Sequence, residues 1–131
     1  MSRPLVLVLE DEAAVREPLA KFLSIHGFDV FSAGAVDAAL EWLTRKRPDA
    51  AVIDLRLPRG SGRDVVRAIP PPIPVIIFSA VPYESESLEE LRPNTRLILK
   101  PFSLTMIAEM IRKMIGAEER PAPSDDLLTE R

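Results

Sequence analysis

The stretch Ala51-Val52-Ile53-Asp54-Leu55-Arg56-Leu57-Pro58-Arg59-Gly60-Ser61-Gly62 decides the fold. Three apolar residues run straight into a carboxylate, and the chain then breaks into a Pro/Gly loop. A short apolar run bounded by turn residues reads as a buried strand, and parallel strands covered on both faces are continuous rather than alternating. A carboxylate buried within such a strand would lose its hydration at great cost. Asp54 therefore belongs at the strand's carboxyl end, where the backbone emerges into a crevice.

Upstream of this stretch, Leu5 to Leu9 is a second continuous apolar run, and it stops at Glu10-Asp11-Glu12. A helical pattern follows, with Val15, Leu19, Phe22 and Leu23 on its apolar side and Gly27 as its stop. Pro18 removes one of that helix's hydrogen bonds and makes its first turn the weak part. Asp29 to Ser32 is a short strand. Val36 to Lys46 is a helix with Ala39, Leu40 and Leu43 on one face, and Trp42 beside them as a core residue.

Downstream, a shorter helix begins near Gly62 and is cut off by Pro70-Pro71-Pro72. Ile73 to Phe78 is a strand that ends at Ser79. Tyr83 to Arg92 is acidic and weakly amphipathic, a poor helix stopped by Pro93-Asn94. Arg96 to Leu99 is a fifth strand, ending at Lys100. Ser103 then caps a last helix with Met106, Ile107, Met110, Ile111 and Met114 on its buried stripe, ending at Gly116. The expected division is a folded domain over 1–116 and a disordered, acidic, Pro-containing tail over 117–131.

Strands alternating with helices imply a parallel sheet covered on both faces. Right-handed crossovers and five units give the doubly wound strand order 2-1-3-4-5, an α/β fold of the flavodoxin-like kind.

The 131 residues suit one domain, and the 47% hydrophobic content suits a folded one. No apolar run approaches the roughly 20 residues of a membrane span. Met1-Ser2-Arg3-Pro4 carries no signal-peptide pattern, so the cytoplasm is the expected location and no membrane partner is expected. The absence of cysteine excludes disulfides and thiolate metal sites. The net charge of −3 comes entirely from residues 117–131, where five acids face two arginines; the first 116 residues balance at 15 of each sign. Such a balance lacks the basic excess of a direct nucleic-acid binder.

The unusual polar residues share one location. Glu10 and Asp11 follow the first strand, Asp54 ends the third, Ser79 the fourth and Lys100 the fifth. Taken singly, each reads as a turn, cap or exposed residue, and Glu10-Asp11-Glu12 as a charged first helical turn. Together they mark the carboxyl ends of the strands, where open α/β sheets bind ligands. Three converging carboxylates repel one another, and a hard divalent cation such as Mg²⁺ removes that conflict. A hydroxyl and an ammonium opposite them complete a cradle for a phosphoryl group, with a carboxylate as nucleophile.

The chain resembles the receiver domain of bacterial two-component response regulators, from about Pro4 to Gly116. The resemblance rests on Val-Leu-Val-Leu-Glu-Asp-Glu (6–12), Val-Ile-Asp-Leu-Arg-Leu-Pro (52–58), Ile-Ile-Phe-Ser-Ala (76–80) and Leu-Lys-Pro-Phe (99–102). It implies that Asp54 is the phosphoacceptor, taking a phosphoryl group from the phosphohistidine of a sensor histidine kinase or a phosphotransfer protein. It further implies Glu10, Asp11, Asp54 and the backbone carbonyl of Arg56 as Mg²⁺ ligands, with Ser79 and Lys100 receiving phosphoryl oxygens. The Lys100-Pro101 bond is cis in similar proteins.

The expected function is phosphorylation-dependent signalling to an unidentified downstream protein, by a stand-alone receiver without an output domain. It is not an enzyme in the usual sense, since it promotes only its own phosphorylation and dephosphorylation. Ser79 and Leu97 occupy the switch positions, and Leu97 departs from the Tyr or Phe usual there. That departure leaves a second reading, a phosphorylation-independent receiver-like scaffold. A third, a Mg²⁺-dependent phosphohydrolase, lacks the second Asp such enzymes carry two residues on, because Arg56 stands there. Arg56, two residues past Asp54, is also expected to reach the phosphoryl group and alter its lifetime. Arg59, Arg63 and Arg67 read as a solvated helix face, and His26 as a surface histidine at a helix end.

Overall fold

The computed structural model describes residues 3–55, 57, 60–79, 92–100 and 102–119, with Ser79 and residues 117–119 described by their backbone alone. Five strands, β1 (Leu5–Leu9), β2 (Asp29–Ala33), β3 (Ala50–Asp54), β4 (Val75–Ser79) and β5 (Thr95–Leu99), form one sheet in the order β2-β1-β3-β4-β5. Every pairing is parallel. The described helices are α1 (Ala13–Ile25), α2 (Val36–Leu43), α3 (Gly62–Ala68) and α4 (Leu104–Glu119). Topology and layering are those expected from the alternation of elements.

The two-residue period of a strand sends successive side chains to opposite faces, and the core divides accordingly. Leu7, Leu9, Ala51, Ile53, Val75 and Ile77 pack with Val36, Ala39 and Trp42 of α2 and with Val65 and Val66 of α3. Val6, Val8, Ala50, Val52, Ile76, Phe78 and Ile98 pack with Leu19 and Leu23 of α1 and with Ile107, Ile111 and Met114 of α4. The inner strands β1, β3 and β4 read as continuous apolar runs because both faces are covered, whereas the edge strands β2 and β5 carry exposed polar residues. Trp42 is core as expected, stacked on Phe31 with ring centroids 4.9 Å apart.

Several boundaries differ from the sequence expectation. α1 forms its first turn despite Pro18, with the amides of Val15 and Arg16 donating to the Glu12 carbonyl at 3.0 and 2.8 Å. The bond that Pro18 cannot make would go to Ala14, and both residues are exposed, where losing that bond costs less than it would in the core. Gly27, at φ +104°, closes α1 with a bond from the Phe28 amide back to the Leu23 carbonyl, the outer bond of a Schellman turn. α2 stops at Leu43 rather than Lys46, because Thr44 turns both its amide and its hydroxyl onto the Glu41 carbonyl.

β4 begins at Val75 rather than Ile73. Pro74 has no amide to give to a ladder, and Ile73 closes a turn onto the Pro70 carbonyl. α4 is capped by Ser103 through the Met106 amide, as expected, and runs past Gly116 to Glu119. Its buried stripe omits Met106, which is exposed, and gains Ala108. The segment 80–91, Pro101 and residues 120–131 lie outside the described residues, so the weak helix, the cis bond and most of the tail do too. His26 is exposed and leans on Phe22.

Candidate functional site

The split of the core predicts which strand-end residues share a side. Glu10 continues the series Val6, Val8; Asp54 continues Ala50, Val52; Lys100 continues Ile98; and all of these lie on the face covered by α1 and α4. The backbone thus carries two carboxylates and an ammonium to the same rim of the sheet. Glu10 and Asp54 are fully buried there, and Asp11 is half-buried just beyond Glu10. Carboxylate oxygens of Glu10, Asp11 and Asp54 all lie within 4.8 Å of one another.

Lys100 bridges the cluster. Its Nζ donates to Asp54 Oδ2 at 3.1 Å and to Glu10 Oε1 at 3.2 Å. The ammonium also sits 5.1 Å from the centroid of the Phe78 ring, against which Phe102 packs edge-on. Burial is the largest influence on the Glu10 carboxyl and pushes it above the ordinary glutamate value. The Glu12 amide bonded to it pulls the other way, Asp54 adds to the rise, and Lys100 opposes it. Burial also acts most strongly on Lys100, in the downward direction, yet its contacts with Asp54 and Glu10 together hold the ammonium above its usual range.

Two local features build the site that no sequence pattern announced. Gly62, the first residue of α3, packs directly on the strand end: a β-carbon there would stand 2.3 Å from the Asp54 carbonyl oxygen and 2.9 Å from Leu55 Cα. Arg16 of α1 reaches back and donates through Nη1 to the carbonyls of Glu10 at 2.9 Å and Asp11 at 3.3 Å. Nothing in its spacing separates Arg16 from an ordinary helix arginine.

Of the residues singled out from the sequence, Glu10, Asp11, Asp54 and Lys100 come together. Ser79 ends β4, one step past Phe78, which faces Asp54 in the register; its side chain is outside the described residues, as is Arg56 with its carbonyl. Leu97 lies opposite Ile77 and packs, partly buried, against the α2–α3 side of the core. Arg67 pairs with Asp64 on the exposed face of α3, as a solvated stripe would.

With all three carboxylates ionised, the cluster with Lys100 holds two negative charges in excess. Hard oxygen donors gathered this closely, in a partly dry crevice, fit a hard divalent cation of the Mg²⁺ kind.

Comparison with known proteins agrees with the fold. The family model described as "Response regulator receiver domain" matches residues 6–112. The chain is 34% identical over 125 residues to the response regulator MprA of Mycobacterium avium, covering 92% of this chain and 54% of that protein. It is 30% identical over 130 residues to the probable transcriptional regulator ycf27 of Porphyridium aerugineum, covering 97% of this chain and 54% of that one. The chain thus spans about half the length of these relatives. Among solved structures, the response regulator receiver protein of Sinorhizobium medicae superposes with a TM-score of 0.82 at 24% identity, over 89% of this chain and 98% of that one. This chain belongs to the receiver-domain family of two-component response regulators. Receivers of this family are signalling modules phosphorylated by sensor kinases, and they bind Mg²⁺ at an acidic pocket. No helix among the described residues is long and apolar enough to cross a membrane.

Proposed function

We propose that Asp54 accepts a phosphoryl group from the phosphohistidine of a sensor histidine kinase or phosphotransfer protein. The observation that carries this reading is the Asp54 carboxylate itself: buried at a strand's carboxyl end, within 4.8 Å of two further carboxylates and 3.1 Å from the Lys100 ammonium. An Asp54 oxygen attacks phosphorus, the phosphorus–nitrogen bond of the donor breaks, and the imidazole leaves with the bonding pair and takes a proton. Glu10, Asp11, Asp54 and the Arg56 carbonyl would hold Mg²⁺, which supplies charge neutralisation at the transferring oxygens.

Lys100 already spans Glu10 and Asp54, so a phosphoryl oxygen on Asp54 arrives within reach of an ammonium that needs no recruitment. The Ser79 hydroxyl would take another phosphoryl oxygen, and Ser79 and Leu97 would relay the change to the protein surface. Attack of water on phosphorus then returns the Asp54 carboxylate and inorganic phosphate. The added charge of about −1.5 to −2 changes the surface offered to a downstream protein. The balanced charge of residues 1–116 favours a protein partner over direct nucleic-acid contact, and the cytoplasm is the proposed place of action.

The test is intact mass after incubation with a small-molecule phosphodonor, with and without Mg²⁺, on native protein and on Asp54→Ala. One Mg²⁺-dependent phosphoryl adduct, absent from the variant, is expected. Native protein that binds Mg²⁺ and acquires no adduct overturns this reading and leaves the phosphorylation-independent scaffold.

A further inference from the structure

One residue captures three successive carbonyls of the acidic turn. The Arg16 guanidinium donates to the carbonyls of Glu10 and Asp11, and the Arg16 amide donates to that of Glu12 at 2.8 Å. The Glu10 carbonyl belongs to the peptide plane entering Asp11, and the Asp11 carbonyl to the plane leaving it. The two backbone dihedrals of Asp11 are the rotations between those planes. A planar, rigid guanidinium that holds both carbonyls through one nitrogen restricts both rotations. The second plane is also held from its other edge, because the Glu12 amide donates to Glu10 Oε2 at 3.0 Å.

A second, independent feature gives the guanidinium its place. Gly34, just after β2, lies under it: a β-carbon there would stand 2.7 Å from Arg16 Nη1 and 3.3 Å from its Cζ. Ala33, the neighbouring residue, accepts the Glu10 amide at 3.1 Å, so the acidic turn and the β2 end are already joined. The bare backbone at Gly34 leaves the slot that the guanidinium fills.

We propose that Arg16 is a positioning residue, seated over Gly34, that sets the backbone of Asp11 and thereby the geometry of the divalent-cation site. It touches neither cation nor phosphoryl group. The inference rests on the phosphoacceptor reading, since it assigns Asp11 to the cation. Groups that orient metal ligands typically change metal affinity by about 10- to 100-fold when removed.

The test measures Mg²⁺ affinity by calorimetric titration, alongside thermal unfolding without Mg²⁺ and the phosphorylation rate at saturating Mg²⁺. Arg16→Met keeps the apolar stem without donors, Arg16→Lys supplies a point donor in place of the planar fork, and Gly34→Ala crowds the guanidinium while leaving Arg16 itself unsubstituted. Affinity is expected to fall by at least about tenfold in Arg16→Met, and less in Arg16→Lys and Gly34→Ala. Much of the phosphorylation rate should return at saturating Mg²⁺. Unchanged affinity in Arg16→Met, with only a lower Tm, overturns the positioning role and leaves a structural one. If Arg16→Met fails to fold, unchanged affinity in both Arg16→Lys and Gly34→Ala overturns it equally. Native protein that binds no Mg²⁺ overturns the phosphoacceptor reading as well, which separates the two failures.

Discussion

Gly62 and Asp54 are in backbone contact: the position a β-carbon would take on Gly62 lies 2.3 Å from the Asp54 carbonyl oxygen. α3 therefore starts where it does because its first residue has no side chain, and the Gly62 amide donates to the Leu55 carbonyl at 3.3 Å to hold the approach. Ser61 caps the same helix through the Arg63 amide at 3.1 Å. The end of β3 at Asp54 and the start of α3 at Gly62 are thus held against each other.

Gly62→Ala is expected to destabilise the fold by about 2 kcal/mol, since backbone rather than a yielding side chain opposes the new methyl. It should also slow phosphorylation, because the strain falls on the residue bearing the carboxylate. Urea unfolding and the rate of adduct formation check the two halves. Native-like stability would mean that α3 moves away freely.

Lys100→Ala removes the cation that Glu10 and Asp54 share. Uncompensated buried carboxylates cost roughly 3 kcal/mol in comparable cases, and a loss of that order is expected without divalent ions. Mg²⁺ should restore more stability to the variant than to native protein, because it then supplies the positive charge that those oxygens have lost, whereas in native protein it shares them with the Lys100 ammonium. Melting curves with and without Mg²⁺ decide this, and equal gains in both proteins would count against a shared site.

Without divalent ions, Glu10 and Lys100 of the acidic site each give stability a pH signature. Burial holds the Glu10 carboxyl above its ordinary value of 4.5 in the folded protein, which therefore keeps a proton that the unfolded chain has lost. This contribution to stability falls as pH rises from about 4.5 through the raised folded value. Lys100 behaves differently. Its folded value lies above 10.5, so its contribution is complete below pH 10.5 and is lost as pH climbs through that raised value. The acid-side effect is read from the difference between the Tm profiles of native protein and Glu10→Gln. Across that window the native profile should lose ground to the variant; parallel profiles would contradict the assignment.

Arg92 offers a contrast, with stability and activity separated. Its buried guanidinium donates to the Pro70 carbonyl at 2.8 Å and to Thr95 Oγ1 at 3.3 Å, tying the turn after α3 to the start of β5. Asn94 adds a bond to the Pro72 carbonyl at 3.0 Å. These contacts stand at the amino ends of the strands, opposite the acidic crevice. Arg92→Met removes these charged hydrogen bonds, leaving the Pro70 carbonyl with the Ile73 amide alone, and is expected to cost about 2 kcal/mol. The phosphorylation rate under folding conditions should not change, and a lowered rate would show that the two ends of the sheet are coupled.

Much of this protein was legible in the order of its residues. Continuous apolar runs are what two-sided burial demands of parallel strands, so Leu5 to Leu9 and Ala51 to Ile53 declared the sheet. The cost of burying charge placed Glu10, Asp54 and Lys100 at strand ends. Where local chemistry competed, the pattern misled: Thr44 ended α2 early, Pro74 delayed β4, and Met106 turned outward on the first turn of α4. The tertiary structure alone decided that Lys100 spans Glu10 and Asp54, residues 90 and 46 positions away along the chain. It alone set Gly62 against the Asp54 carbonyl and Arg16 over Gly34. The reason is physical: periodicity and desolvation are local and leave their mark on neighbouring residues, whereas a contact between distant residues depends on sheet register and helix packing, which no single stretch contains.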